Sequence, residues 1–270
     1  MTDPAPNVWH IPLMLPREAF SPRDAARAGD LWRTFQQAAV QGSGKVGWPP
    51  HRYRELGSAF VVREMRVLHH REAGYGENIW AHTWIGQFRR GLLATRHIDI
   101  MGDQGPLCSA SQEWAHVSST LRPTRAPKEL VDAFCVVEGR RDAIQLPAIV
   151  HADQGPVHQF AFTCWHTWMD PLGHANHPVY VDWCDEAISM AMAGVGLNPI
   201  ALGPVAERVK WKKGVVAGAR VVIHTQRTGR TETGGVVFEH VLKAPDDSVY
   251  AMATTVRRMA GDGTEALAQV

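Results

Sequence analysis

The sequence predicts an α+β protein made of one unit used twice, each copy a long helix followed by a run of antiparallel strands. Three observations predict it. Two stretches carry apolar residues at helical spacing: Leu31, Phe35, Ala38 and Ala39 in one, and Val181, Cys184, Ala187, Ile188 and Ala191 in the other. Each is followed by short segments rich in β-branched and aromatic residues between Gly, Asp and Pro turns. The halves also align with each other. MRVLHHREAGYGENIWAHT (65–83) lies over ERVKWKKGVVAGARVVIHT (207–225) without a gap, at an offset of 142 (218 minus 76). That alignment pairs Arg66, Val67, Gly76, His82 and Thr83 with Arg208, Val209, Gly218, His224 and Thr225.

Taken in order, residues 1–20 are broken by Pro4, Pro6, Pro12 and Pro16 and are expected to be an N-terminal extension. They lack a basic start, so they do not read as a signal peptide. The first unit is expected over 21–132. It has a helix over 23–43 stopped at Gly42, then strands at FVVREMRVLHH, ENIWAHTWIGQF, LLATRHIDIM and CSASQEWAHVS. Residues 133–156 are too apolar for a free tether and are expected to be a linker crossing a sheet surface. The second unit, 157–262, opens with the strand VHQFAFTCWHTWM, continues into a helix over 178–194 stopped at Gly194, and ends in strands. A tail, 263–270, completes the chain. Laying Trp32 on Trp183 gives the helices an offset of 151 (183 minus 32) and puts Ala19 opposite Asp170. The nine extra residues (151 minus 142) then fall in the first copy's GWPPHRYRELG loop. Downstream, HIDIMGDQGPLCSAS (97–111) is laid over HVLKAPDDSVYAMAT (240–254).

Composition narrows the function. With 270 residues, 45% hydrophobic and 20% charged, the chain has the make-up of an ordinary soluble globular protein. A net charge of +1 offers no field for a polyanion, so nucleic acid is excluded as a partner. No apolar run reaches the roughly 20 residues needed to span a bilayer, so no membrane is expected. Cys108, Cys135, Cys164 and Cys184 lie far apart without a C-x-x-C pair, which suits a reducing cytoplasm and indicates no zinc site. The 14 histidines lack metal-ligand spacing, so neither a metal nor a cofactor is expected.

The stretch DPLGHANHPVYVDW (170–183) concentrates the chemistry. Asp170, His174 and Asn176 stand on a glycine-bearing loop just ahead of a helix start at Pro178. A helix N-terminus presents unpaired N–H groups and positive potential, which stabilise a carbonyl oxygen gaining charge. Proline fits the first turn, where its missing N–H costs nothing. Asp and Asn before a helix also commonly cap it, but capping requires neither His174 nor an aspartate eight residues before the proline. Two lesser clusters have plainer readings. Asp182, Asp185 and Glu186 suit the helix macrodipole. Arg208, Lys210, Lys212 and Lys213 read either as an exposed strand face or as partners for the phosphates of coenzyme A or a pantetheine arm.

This strand, loop, helix and sheet resemble those of the hotdog-fold thioesterases, whose loop often reads D-x-x-G-H-x-N-N. The doubled unit resembles the acyl-carrier-protein thioesterases in particular, as do Trp84, Arg89, Arg90 and the Ser111–Trp114 stretch SQEW. The resemblance covers roughly residues 21 to 260. It implies a tandem double hotdog, each unit a long central helix wrapped by an antiparallel sheet. It also implies an acyl thioesterase acting on an acyl thioester of acyl carrier protein or coenzyme A, with room for a homo-oligomer. The active loop belongs to the second half, while the first half is non-catalytic and helps form the cavity.

Asp170 takes the place of the loop carboxylate in thioesterases of the 4-hydroxybenzoyl-CoA type, as base or nucleophile, with His174 and Asn176 beside it. The chain departs from the pattern at His177, where a second Asn is usual. It departs again at Leu172, Gly214 and Val215, where plant enzymes carry an Asn and a Glu-Cys pair. Two alternatives stay open. One is a hotdog hydratase or dehydratase, whose aspartate and histidine are usually five apart rather than four. The other is a non-catalytic acyl-binding module.

Overall fold

The computed structural model describes residues 7–259, 264–267 and 270; residues 1–6, 260–263, 268 and 269, in the expected extension, second unit and tail, lie outside the described residues. The chain divides into two compact units. One runs up to Arg17 and takes in Arg33–Ile144; the other joins Glu18–Trp32 to Gln145–Val270.

In the first unit, β1 (Trp9–Leu13), β2 (Ser58–His69), β3 (Ile79–Arg89), β4 (Leu93–Gly102) and β5 (Gly105–Ser118) form an antiparallel sheet in the order β1-β3-β4-β5-β2. Helix α1 (Ala28–Lys45) precedes β2, with the short α2 (Pro50–Glu55) between them. α3 (Lys128–Ala133) follows β5 and closes a small core of Trp48, Ile85, Leu130 and Phe134. In the second unit, β6 (Ile149–Ala152) and β7 (Val157–Thr163) precede α4 (Val179–Gly194). Next come β8 (Leu202–Trp211), β9 (Arg220–Thr231), β10 (Val236–Lys243), β11 (Val249–Met259) and the one-turn α5 (Thr264–Leu267). The order here is β8-β11-β10-β9, with both β6 and β7 on the far side of β9. Ile188, Ala191 and Met192 of α4 pack on Val236, Phe238, Leu267 and Val270. Among the described residues no helix is long and apolar enough to cross a membrane.

Several expectations need correction. Residues 9–13, assigned to an extension, form β1, paired with β3 from Trp9↔Thr83 to Leu13↔Ile79. Pro12 is tolerated because an edge strand bonds its neighbour on one side only. The first helix starts at Ala28 rather than at 23, because Phe20 and Ala26 bridge across a turn with Asp24 at φ 60°. Gly42 is not a stop. It lies inside α1, where an added Cβ would come within 2.9 Å of both Thr83 and Arg96, so it serves close packing. Residues 137–144 of the expected linker lie along the first sheet: Val137 N–H donates to the Ile85 carbonyl, Ile144 N–H to Ser111 Oγ, and Arg141 pairs with Asp99.

Elements of the two halves do correspond, but the offsets differ from those expected. Gly76 and Gly218 share a left-handed backbone, at φ 81° and 80°, as the 142 offset requires. Upstream the offset is 149. Bridge Phe20↔Ala26 matches Met169↔Ala175, and the turn Arg17–Ala19 matches His166–Trp168. Along the helices, buried Leu31, Trp32, Thr34, Phe35, Ala38 and Ala39 match buried Tyr180, Val181, Trp183, Cys184, Ala187 and Ile188 at that same offset. Trp32 on Trp183 was a coincidence of residue type. The extra segment, which contains α2, is therefore seven residues (149 minus 142). In the third strand His97 meets Glu239, not His240, because Trp84 opposes His97 as Gln226 opposes Glu239.

The second unit buries a charge cluster. Arg257 on β11 is 1% exposed; its Nε lies 2.8 Å from Asp185 Oδ1 on α4, and its Nη1 donates at 2.5 Å to Glu207 on β8. Trp32 Nε1 donates to the second oxygen of Glu207 at 3.1 Å. Burial alone would lower the Arg257 pKa, but the two carboxylates hold it raised. Removing the cation would take from buried Glu207 the guanidinium that its Oε1 accepts from. Arg257→Met is expected to lose about 3–5 kcal/mol of unfolding free energy in urea titration, and Arg257→Met with Glu207→Gln to recover part of it. A single variant as stable as the parent would show that the cluster does not hold α4.

Candidate active site

The site is built from the turn that leads from β7 into α4. After the 3-10 turn His166–Trp168, the chain bridges Met169 to Ala175 and closes a tight loop between them. Asp170 N–H donates to the His174 carbonyl at 2.8 Å, and Gly173 N–H donates to the Asp170 carbonyl at 3.0 Å. Gly173 sits at φ 81°, a left-handed conformation that glycine adopts without strain and that Asp24 also takes at the equivalent position of the first copy, at φ 60°. The closure turns the two polar side chains toward each other. Leu172 N–H donates to Asp170 Oδ1 at 2.8 Å, and His174 Nδ1 lies 3.6 Å from the same oxygen. Both side chains are mostly covered, 17% and 19% exposed, yet reachable.

Two outside carbonyls hold the loop. Ala175 N–H donates to Val215 at 2.7 Å and Asn176 N–H to Trp168 at 2.9 Å. The Asn176 carbonyl then accepts from Val179 N–H at the helix entrance, 3.0 Å away. Pro178 occupies the N-cap with helical φ and ψ, and no side chain caps the helix there. Asp170 spends a hydrogen bond inside its own loop, not on the helix end, so the capping reading does not describe its contacts.

Burial pushes the Asp170 carboxyl up, but the His174 ring and the N–H of Leu172 outweigh it, and the net pKa is lowered. The aspartate is therefore an anion at neutral pH. Behind the loop stands an aromatic wall. Tyr180 packs on Trp183 and, edge-on, on Trp211, while Trp168 meets Trp183 and Phe162. Trp165, largely exposed, stacks on Trp168 at 5.0 Å. His177 stands edge-on to Trp211 at 5.7 Å, and burial lowers its pKa to about 4, so it is neutral at pH 7. Tyr180 Oη accepts from Val215 N–H at 3.3 Å.

Sequence reasoning singled out Asp170 and His174, which the structure brings together, and Asn176, which it places between the loop and the helix. It gave no role to His177 or Tyr180, although both lie in the quoted stretch and an aromatic beside a helix entrance is a readable signal. Lys212 and Lys213 lie exposed on the turn after β8, their N–H groups both donating to the Tyr250 carbonyl. In the first copy the position equivalent to Asp170 is Ser21, not Ala19. Ser21 Oγ accepts from Arg23 N–H at 3.3 Å as Asp170 does from Leu172, but Ala25 and Arg27 replace His174 and Asn176.

No protein-family model matches the sequence, and neither does any curated protein. Solved structures do. A protein assigned as an oleoyl thioesterase from Lactobacillus plantarum superposes with a TM-score of 0.80 at 17% identity, covering 97% of this chain and 99% of its own. An acyl-ACP thioesterase from Bacteroides thetaiotaomicron gives 0.74 at 12% identity, over 93% and 98%. The 12:0-ACP thioesterase from Umbellularia californica gives 0.73 at 16%, over 94% and 95%. The chain has the hotdog fold. At these identities the similarity is one of hotdog architecture over nearly the whole chain, and the chemistry rests on this chain's own residues.

The lowered carboxyl gives a direct test. A group whose folded pKa is depressed adds stability above its unfolded value, near 3.9 for aspartate, and that stability is lost as pH falls through the lower folded value. Carbon-13 titration is expected to place Asp170 below the ordinary aspartate range and to move it upward in His174→Ala. An unchanged midpoint in the variant would mean that the ring does not hold the carboxylate.

Proposed function

We propose that this chain is an acyl-thioester hydrolase whose chemistry is carried by the second copy, on the loop Asp170–Asn176. The observation that carries the reading is the covered, anionic Asp170 with its oxygen 3.6 Å from His174 Nδ1, at the mouth of a helix that no side chain caps. Thioester hydrolysis needs a polarised carbonyl and either a carboxylate nucleophile or a base-activated water. The N–H groups at the start of α4 receive the developing negative charge on the carbonyl oxygen. In the base route, Asp170 takes a proton from water as it adds to the carbonyl carbon, the carbon–sulfur bond breaks, and the thiol leaves with that proton. In the nucleophile route, the Asp170 carboxylate displaces the thiol to give an anhydride, which water then opens.

Each copy is read as a hotdog unit centred on its own helix, α1 or α4. The substrate is read as an acyl-ACP or acyl-CoA thioester, the acyl-ACP arm being supported by the activities for which two of the structural relatives are named. The four cysteines form no disulfide, which supports a reducing, cytoplasmic setting.

The competing hydratase adds water across a carbon–carbon double bond and cannot process a saturated chain. Purified protein is expected to release free thiol from saturated medium-chain or aryl thioesters. Asp170→Asn is expected to abolish turnover with the fold retained, and His174→Ala to slow it roughly 10- to 1,000-fold. A single turnover in heavy-oxygen water separates the routes, since label enters the Asp170 carboxylate only if that carboxylate attacks. Hydration of an enoyl thioester without thiol release from any saturated one would overturn the reading in favour of the hydratase.

A further inference from the structure

We propose that Gly214 is a positioning residue that seats the His174 imidazole against Asp170, and that this site works only with a hydrogen for a side chain at 214. The proposal rests on reading His174 as part of the reacting site. A Cβ built on Gly214 would lie 2.8 Å from His174 Cγ and Cδ2 and 2.9 Å from its Cβ, closer than carbon atoms approach without a shift. The obstacle is a ring root and not the far end of a flexible chain, so it cannot simply swing away. Gly214 is not among the residues at positive φ, and its backbone therefore tolerates alanine. The demand for glycine comes from the neighbour and not from the turn.

The same segment already holds the loop through Val215, which accepts from Ala175 N–H and donates to Tyr180 Oη. Gly214 and Val215 thus make a backbone template, one fixing the histidine's neighbour by a hydrogen bond and the other fixing the ring by contact. The first copy supplies an internal comparison. Lys212 and Lys213 donate to the Tyr250 carbonyl as His70 and Arg71 donate to that of Leu107, so the turns correspond and Gly214 matches Glu72. Where the loop carries Ala25 in place of the histidine, the glycine is not kept.

The test combines Gly214→Ala, His174→Ala and the double variant. Gly214→Ala is expected to lower kcat roughly 10- to 100-fold with KM little changed, and to add no further loss in the His174→Ala background. Two readouts need no turnover and so separate this proposal from the reading it rests on. Carbon-13 titration of Asp170 should shift upward in Gly214→Ala, as in His174→Ala, and the melting temperature lost in Gly214→Ala should be regained relative to His174→Ala in the double variant. If Gly214→Ala fails to fold while the double variant folds, the clash is with His174 and the proposal holds. An unshifted Asp170 titration in a folded Gly214→Ala protein, an additive loss in the double variant, or failure of both to fold would overturn it.

Discussion

The candidate loop leads straight into α4, and the buried guanidinium of Arg257 ties that helix to the sheet through Asp185. One cation gathers Asp185 from the helix and Glu207 from β8, while Trp32 Nε1 takes the remaining Glu207 oxygen. Charges this deeply buried are costly to desolvate, so such a cluster is weak evidence of net stability but strong evidence of geometric demand. A hydrophobic contact would let the helix slide along its axis by a fraction of a turn. A forked bond between three charged side chains does not. Five residues upstream of Asp185 the helix presents Tyr180 Oη to the Val215 N–H, and the Val215 carbonyl in turn accepts from Ala175 N–H of the loop.

Within that frame the loop works by opposing two effects of burial. Covering a carboxylate favours its neutral form, while a nearby imidazole and a backbone N–H favour the anion. Here the second effect prevails, so Asp170 remains charged without being fully solvated. A depressed pKa makes this carboxylate a weaker proton acceptor than a free aspartate, so what the loop secures is its ionised form at neutral pH. His177, buried against Trp211, is neutral at pH 7 and adds no charge beside the loop.

Much of this was legible in the sequence, and the failures have physical causes. Asp170 and His174, four apart across Gly173, could be read because one left-handed residue is enough to bring them together. The helical faces could be read because burial repeats with the helical period. β1 was missed because Pro12 argues against a strand, and only the one-sided bonding of an edge makes that argument void. The start of α1 was misplaced by five residues because Ser21–Asp24 forms a turn whose bonds compete with the helix. The offset failed because two tryptophans matched by type while the buried faces matched by position. Gly214 could be read only as a departure from the plant pattern, not as a residue that seats a ring. Its requirement comes from a ring forty residues away in sequence, and nothing local distinguishes it from an ordinary turn glycine.

The first copy keeps the loop's backbone and discards its reagents. Ser21 N–H still donates to the Ala25 carbonyl, Asp24 N–H to that of Ser21, and Arg27 N–H to that of Ala19. The skeleton that shapes the loop is therefore made by main-chain groups, and it forms with either set of side chains at 170, 174 and 176 or at 21, 25 and 27. A duplicated gene with this property can lose one centre by ordinary substitution without any selective penalty from misfolding. Asymmetry between the halves is thus the expected resting state of such a lineage, requiring no special event to explain it.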